Sequence, residues 1–180
     1  MFINPKRREI EIKIVYYGPP LSGKTTNLVH IHSNTDPRIR GELVSLKTRE
    51  DRTIFFDLLQ LELGQIRGMR PRFNLYTVPG QDRHAASRKL VLPGIDGVVF
   101  VADSQPHMRR SNIAAMRGLE QNLLELGIEP SDFPLVLQLN KRDVSEAVPE
   151  VLLRTDLGCN GAPCFSSVAD QGVGVFDTLK

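Results

Sequence analysis

Residues Glu9 to Asn27 read EIEIKIVYYGPPLSGKTTN, and this stretch decides the fold. Ile10, Ile12 and Ile14 alternate with Glu11 and Lys13, and then Val15, Tyr16 and Tyr17 make the run continuously apolar. That pattern is a strand entering a buried position in a sheet. It stops at Gly18, and Gly18-x-x-x-x-Gly23-Lys24-Thr25 follows, the G-x-x-x-x-G-K-[ST] phosphate loop in its strand–loop–helix setting. A polyphosphate needs many donors at close range. A tight loop supplies backbone N–H groups, and the N-terminus of the next helix adds the positive end of its dipole. In this reading Gly23 lets backbone approach the phosphates, Lys24 reaches the β and γ oxygens, and the Thr25 hydroxyl ligates Mg²⁺. Pro19 and Pro20 carry no N–H, so the cradle must come from Leu21, Ser22, Gly23, Lys24, Thr25 and Thr26. Pro20 also falls beside the γ-phosphate, where a small residue fits more easily.

The 180 residues, 41% apolar, suffice for one domain with a substantial core, and residues 1–180 are expected to form it. A net charge of +2 demands neither nucleic acid nor an anionic membrane, and most Lys and Arg are expected to be solvated surface residues. Cys159 and Cys164 are too few for a disulfide framework and lack the histidines of a zinc pattern. Reduced thiols in a cytoplasmic protein are the expectation. The start, Met1-Phe2-Ile3-Asn4-Pro5-Lys6, has no apolar core of a signal peptide, and no stretch approaches the ~20 apolar residues of a membrane span. Neither end carries a lipidation motif, so no lipid anchor is expected.

Along the chain, a helix is expected over Thr25–Ser33, a loop over Ser33–Gly41, and a short apolar stretch at Glu42–Thr48 that touches the body. Strands at Ile54–Leu63 and Arg72–Val78 read as an antiparallel hairpin turning near Arg67-Gly68. A short helix over Asp82–Leu92 leads to GIDGVVFVAD, a buried parallel strand ending at Asp103. Then come a helix over Pro106–Leu126, a strand over Pro134–Leu139, a short helix over Pro149–Arg154, and a strand over Pro163–Ser166. A last helix starts near Val173, too short to cover the sheet alone and expected to be incomplete. The alternation gives an α/β three-layer phosphate-loop domain, its central sheet mostly parallel with one antiparallel hairpin strand. Ligands of such sheets bind beyond the carboxyl ends of the strands. The phosphate loop, Pro79-Gly80-Gln81, Asp103, Asn140 to Asp143, and Ser166-Ser167 all fall at such ends.

Asn140-Lys141-Arg142-Asp143 chooses the base. A carboxylate at Asp143 can accept two N–H bonds in one plane from guanine N1 and its exocyclic amino group, a donor pair that adenine lacks. The Lys141 stem can lie along the purine face, and Asn140 can tie this loop to the phosphate loop. A kinase or other ATPase is disfavoured by Asp143.

With these residues in place the chain resembles the small Ras-like GTPases, and most closely the bacterial MglA family. The resemblance covers nearly the whole chain and rests on IKIVYYGPPLSGKTTNL, EDRTIFFD, LYTVPGQ, ASRKL, DGVVFVADS and LNKRD. It implies a switch between GTP and GDP, Mg²⁺ dependence, hydrolysis that is slow without a partner, and a role in cell polarity or gliding motility. It implies a roadblock-fold, MglB-like GTPase activator, polarity or motility effectors, no nucleic acid, a monomer when alone, and a cytoplasmic protein recruited to cell poles. Carried over by position, Thr53 is the switch threonine that closes on Mg²⁺ and the γ-phosphate. Gly80 is the N–H that senses the γ-phosphate, and Gln81 orients the attacking water. Arg52 is an arginine supplied in cis to the transition state, with a plain solvated loop residue as the alternative. Ser166 and Ser167 match the last base-binding loop, through backbone N–H. Where ordinary relatives have an aspartate that supports the Mg²⁺ shell, this chain has Thr77. Asp57 is a candidate replacement, and a strand-end role accounts for it equally well. Because Pro20 crowds the γ-phosphate, a GTP-binding interaction module with little hydrolysis stands as the alternative function.

Overall fold

The computed structural model describes residues 1–47, 53–65, 67–80, 85–159 and 161–180. Among these residues eight strands form one sheet: β1 (Phe2–Asn4), β2 (Glu9–Tyr17), β3 (Val44–Lys47), β4 (Thr53–Glu62), β5 (Arg70–Thr77), β6 (Gly97–Asp103), β7 (Leu135–Asn140) and β8 (Cys164–Ser166). Among the described residues five α-helices accompany them: α1 (Lys24–Asn34), α2 (Ala85–Val91), α3 (Arg109–Glu125), α4 (Glu150–Asp156) and α5 (Val175–Leu179). The strand order is β3-β4-β5-β2-β6-β7-β8, with β1 paired to β2 outside that path. β2 runs parallel to β5 and β6, and β7 and β8 extend the parallel set. β4 is the expected antiparallel strand against β5.

Two short strands add to the expected set. β3 pairs antiparallel with β4, and β1 pairs antiparallel with β2. Residues 44–47, within the stretch 42–48 expected only to touch the body, thus extend the sheet at its edge. The expected helix over Pro106–Leu126 divides into a 3₁₀ turn, Pro106–Met108, and α3.

Alternation sends successive side chains to opposite faces, which builds the three layers. On one face Val15, Tyr17, Val98, Phe100 and Ala102 meet Met116, Leu119 and Leu123 of α3 and Leu153 of α4. On the other, Tyr16, Val99 and Val101 meet Leu28 and Ile31 of α1 and Val175 of α5. Every residue of β6 is buried, as a strand covered on both faces must be. Each fully buried Leu or Phe contributes about 1.5–3 kcal/mol of transfer free energy. Because β2, β5, β6, β7 and β8 are parallel, Tyr17, Thr77, Asp103, Asn140 and Ser166 all end at one edge.

Candidate functional site: a nucleotide edge

The phosphate loop occupies that edge between β2 and α1. Its turn uses left-handed backbone at Leu21 (φ 60°) and Gly23 (φ 103°), and Gly18 lies at φ 147°. The close approaches explain the glycines. A Cβ on Gly18 would stand 2.3 Å from the Val101 carbonyl oxygen, and one on Gly23 would stand 2.1 Å from Asn140 Nδ2. Leu21, by contrast, is a left-handed residue with its side chain 86% exposed. Ser22 is buried, and Thr25 and Thr26 are half-buried in the first turn of α1.

Lys24 is buried, and its Nζ donates to the carbonyl oxygens of Pro19 (2.6 Å) and Gly18 (3.0 Å). Burial pulls its ammonium down to about 7; the Asp57 charge opposes the shift and Arg88 adds to it. A buried cation is costly without a counter-charge, and a polyphosphate in the loop would supply one. Gly80 packs directly on this loop: a Cβ there would lie 2.4 Å from Pro20 N and 2.5 Å from Pro19 C. Glycine is therefore required at residue 80 for steric reasons, whatever its N–H does.

Asp57, the candidate for the missing carboxylate, is bonded to the loop threonine. It lies fully buried on β4, and the Thr25 hydroxyl donates to its Oδ2 at 2.6 Å. Thr77, standing where relatives carry aspartate, donates its hydroxyl to the same oxygen at 2.8 Å and accepts the Asp57 N–H at 2.9 Å. Ser45 of β3 donates to Oδ1. The carboxylate is thus present, reaching the loop threonine from the antiparallel neighbour strand. A hard oxygen donor beside a loop hydroxyl fits Mg²⁺, which is held through few protein oxygens plus substrate phosphates. Among the described residues, no group of three or more His, Cys, Asp or Glu side chains could hold a metal ion by itself.

Asn140 ties the base side together. Its Nδ2 donates to the Ser22 carbonyl (2.8 Å), and its Oδ1 accepts from the Ala169 N–H (2.9 Å) and the Ser167 hydroxyl (3.1 Å). The phosphate loop, β7 and the loop after β8 are fixed to one buried amide. Asp143 is exposed. Lys141 takes a left-handed backbone (φ 63°) and pairs with Asp103 at 2.6 Å.

The sequence reading placed base contacts on Ser166 and Ser167. Ser166 is exposed, whereas Ser167 is buried and its N–H is taken by the Leu139 carbonyl at 2.8 Å. Ala169, absent from that reading, is the residue whose N–H meets Asn140. The signal for it lies only in the three-dimensional tie. Arg52 and Gln81 lie outside the described residues, and Thr53 is described through its backbone alone. A groove lined by Ile14, Phe73, Phe133, Leu135 and Leu179 shares no residue with this edge.

Residues 1–176 match the model of the ADP-ribosylation factor family. The chain is also 53% identical over 179 residues to the mutual gliding-motility protein MglA of Myxococcus xanthus (strain DK1622), covering 99% of this chain and 92% of that relative. The motif edge and these matches agree: the chain belongs to the ADP-ribosylation factor family and, within it, to the MglA-type small Ras-like GTPases, guanine-nucleotide switches that hydrolyse GTP.

Proposed function

We propose that residues 1–180 form one G domain that holds GTP and GDP at this edge with Mg²⁺. The nucleotide's phosphates lie in Gly18 and Leu21 to Thr26, and its base lies between Lys141, Asp143 and the loop after β8. The observation that carries the reading is the buried Asp57 carboxylate bonded to the Thr25 hydroxyl at 2.6 Å. It supports the reading because a buried carboxylate then stands beside the one hydroxyl that the loop motif assigns to a hard cation. Thr25 and Thr53 would hold Mg²⁺, which would supply positive charge against the negative charge that develops on the phosphate in the transition state.

Water is the nucleophile. Its oxygen bonds to the γ-phosphorus as the bond from that phosphorus to the β–γ bridging oxygen breaks, leaving GDP and phosphate. Gln81 orients the water, and Lys24 and Arg52 offset the charge that spreads over the γ-phosphoryl oxygens. Residues 41–63 and 79–92 carry the nucleotide state to effectors. The regulatory partner is a roadblock-fold, MglB-like activator that orders the Arg52 loop. The protein works in the cytoplasm, is recruited to the cell poles, and serves polarity or gliding motility, the process in the relative's name.

The test is single-turnover hydrolysis of preloaded GTP with Mg²⁺, alone and with the roadblock-fold protein. A slow basal rate raised ~10³-fold or more by the partner supports the reading, and Arg52→Ala and Gln81→Ala should each remove that gain. Tight GTP binding without hydrolysis under both conditions would overturn it in favour of a binding module limited by Pro20.

A further inference from the structure

Asp103 ends β6, and its carboxylate is the most enclosed charged group on the base side of the edge, with its side chain 1% exposed. Its backbone is clamped in both directions by one residue of α3. Asp103 N–H donates to Asn112 Oδ1 (3.0 Å), and Asn112 Nδ2 donates to the Asp103 carbonyl (2.8 Å). Its side chain is divided between two donors: Oδ1 accepts the Gln105 N–H (3.0 Å), and Oδ2 accepts Lys141 Nζ (2.6 Å). Gln105 Oε1 stands a further 3.4 Å from the same ammonium.

Lys141 needs this anchor. It is the residue whose stem must lie flat against a purine, yet it is an unbranched side chain 31% exposed at the mouth of the site. An exposed lysine samples many rotamers, and fixing one costs ~2 kcal/mol of side-chain entropy. The left-handed backbone at residue 141 turns the side chain back over the end of the neighbouring strand, where Asp103 pairs with Asn140 in register. A buried carboxylate with one ammonium partner is rigid, because leaving it unpaired in the interior is strongly unfavourable. The rigidity passes to the lysine.

We propose that Asp103 is a positioning residue for guanine-nucleotide retention: it pins the Lys141 ammonium so that the methylene stem is preset as the platform for the purine face. This rests on the reading of Lys141 as a base contact. Asp103 touches no nucleotide and acts through Lys141 alone.

The test is a double-mutant cycle on dissociation of a fluorescent methylanthraniloyl-GDP from the whole chain with Mg²⁺, using Asp103→Asn, Lys141→Ala and the pair. Asparagine keeps the acceptor for the Gln105 N–H and removes the charge that holds the lysine. Asp103→Asn is expected to speed dissociation about tenfold, and to add nothing once Lys141 is alanine. A parallel series with inosine diphosphate, which lacks the exocyclic amino group, should show the same fold-change, because Asp143 still reads the base edge. Independent, multiplying effects of the two substitutions overturn the proposal, as does unchanged dissociation in Asp103→Asn. Should Asp103→Asn not fold, Lys141→Met keeps the stem and deletes the ammonium. Faster dissociation then supports the proposal and an unchanged rate overturns it. If unsubstituted protein retains GDP but Lys141→Ala releases it no faster, the base-contact reading of Lys141 itself fails.

Discussion

Gly23 and Asn140 lie 117 positions apart, and yet one leaves room for the other. The Asn140 amide reaches the Ser22 carbonyl across the space that a Cβ on Gly23 would fill. Gly23 also sits at φ 103°, which an L side chain adopts only with strain of order 1–2 kcal/mol. Gly23→Ala is therefore expected to do two things at once. It should lower stability by about 1–2 kcal/mol, read as a fall in urea midpoint at unchanged slope. It should also weaken GDP binding at least tenfold, because Asn140 must leave Ser22. Gly23→Ala combined with Asn140→Ala relieves the clash and leaves only the backbone strain, so its stability loss should be smaller than the sum of the two. Normal GDP affinity in Gly23→Ala would show that the tie is unimportant. At this scale the sequence named candidate ligand contacts, such as Lys24 and Asp143, because motif chemistry calls for them. It also told that Asn140 ties its loop to the phosphate loop, as the bond to the Ser22 carbonyl bears out, but not that Asp103 holds Lys141, a contact between distant positions that no motif names.

The elements show the same division. The phosphate-loop strand and helix, the buried β6 and the strand before Asn140 were all legible, since each is long or strongly patterned. β1 and β3 were not, being three and four residues long and drawing their hydrogen bonds from β2 and β4. Asp57 depends on that second pairing. In TIFFDLLQLE it is a polar residue flanked on both sides by apolar pairs, and periodicity cannot say what it faces. The register of β4 against β5, with Leu58 opposite Tyr76, carries Asp57 to Thr77, and β3 brings Ser45. The carboxylate therefore joins β3, β4, β5 and α1, so that in the proposed function cation support would depend on strand position. Asp57→Asn preserves size and removes the charge. It is expected to raise GDP dissociation in Mg²⁺ by about 10–100-fold, the range for losing a group that supports metal ligands. A chelator should then accelerate the variant far less than the unsubstituted protein. An Asp57→Asn variant that keeps the full chelator response would move the cation's support elsewhere.

Across the whole molecule, the α3–α4 cluster and the α1–α5 cluster grip the two faces of one sheet, and the nucleotide edge lies where both end. Nucleotide contacts would fasten together the loops after β2, β7 and β8, which otherwise share the buried amide of Asn140. Ligand that binds only the folded state stabilises it by mass action, about 2.7 kcal/mol at a concentration 100-fold above Kd. For a domain of this size each kcal/mol raises the melting temperature by roughly 2–4 °C. GDP with Mg²⁺ at that excess should thus raise Tm by about 5–11 °C, the product of the two figures. The base argument makes the control decisive. ADP offers the same phosphates and ribose but lacks the donor pair that Asp143 accepts, so at equal concentration it should shift Tm by only a small fraction of the GDP effect. Asp143→Ala should bring the GDP shift down toward the ADP value and leave the ligand-free Tm nearly unchanged, because the Asp143 side chain is exposed. Equal shifts with GDP and ADP in the unsubstituted protein would mean that the edge reads phosphates alone. The part assigned to Asp143 would then have to be abandoned.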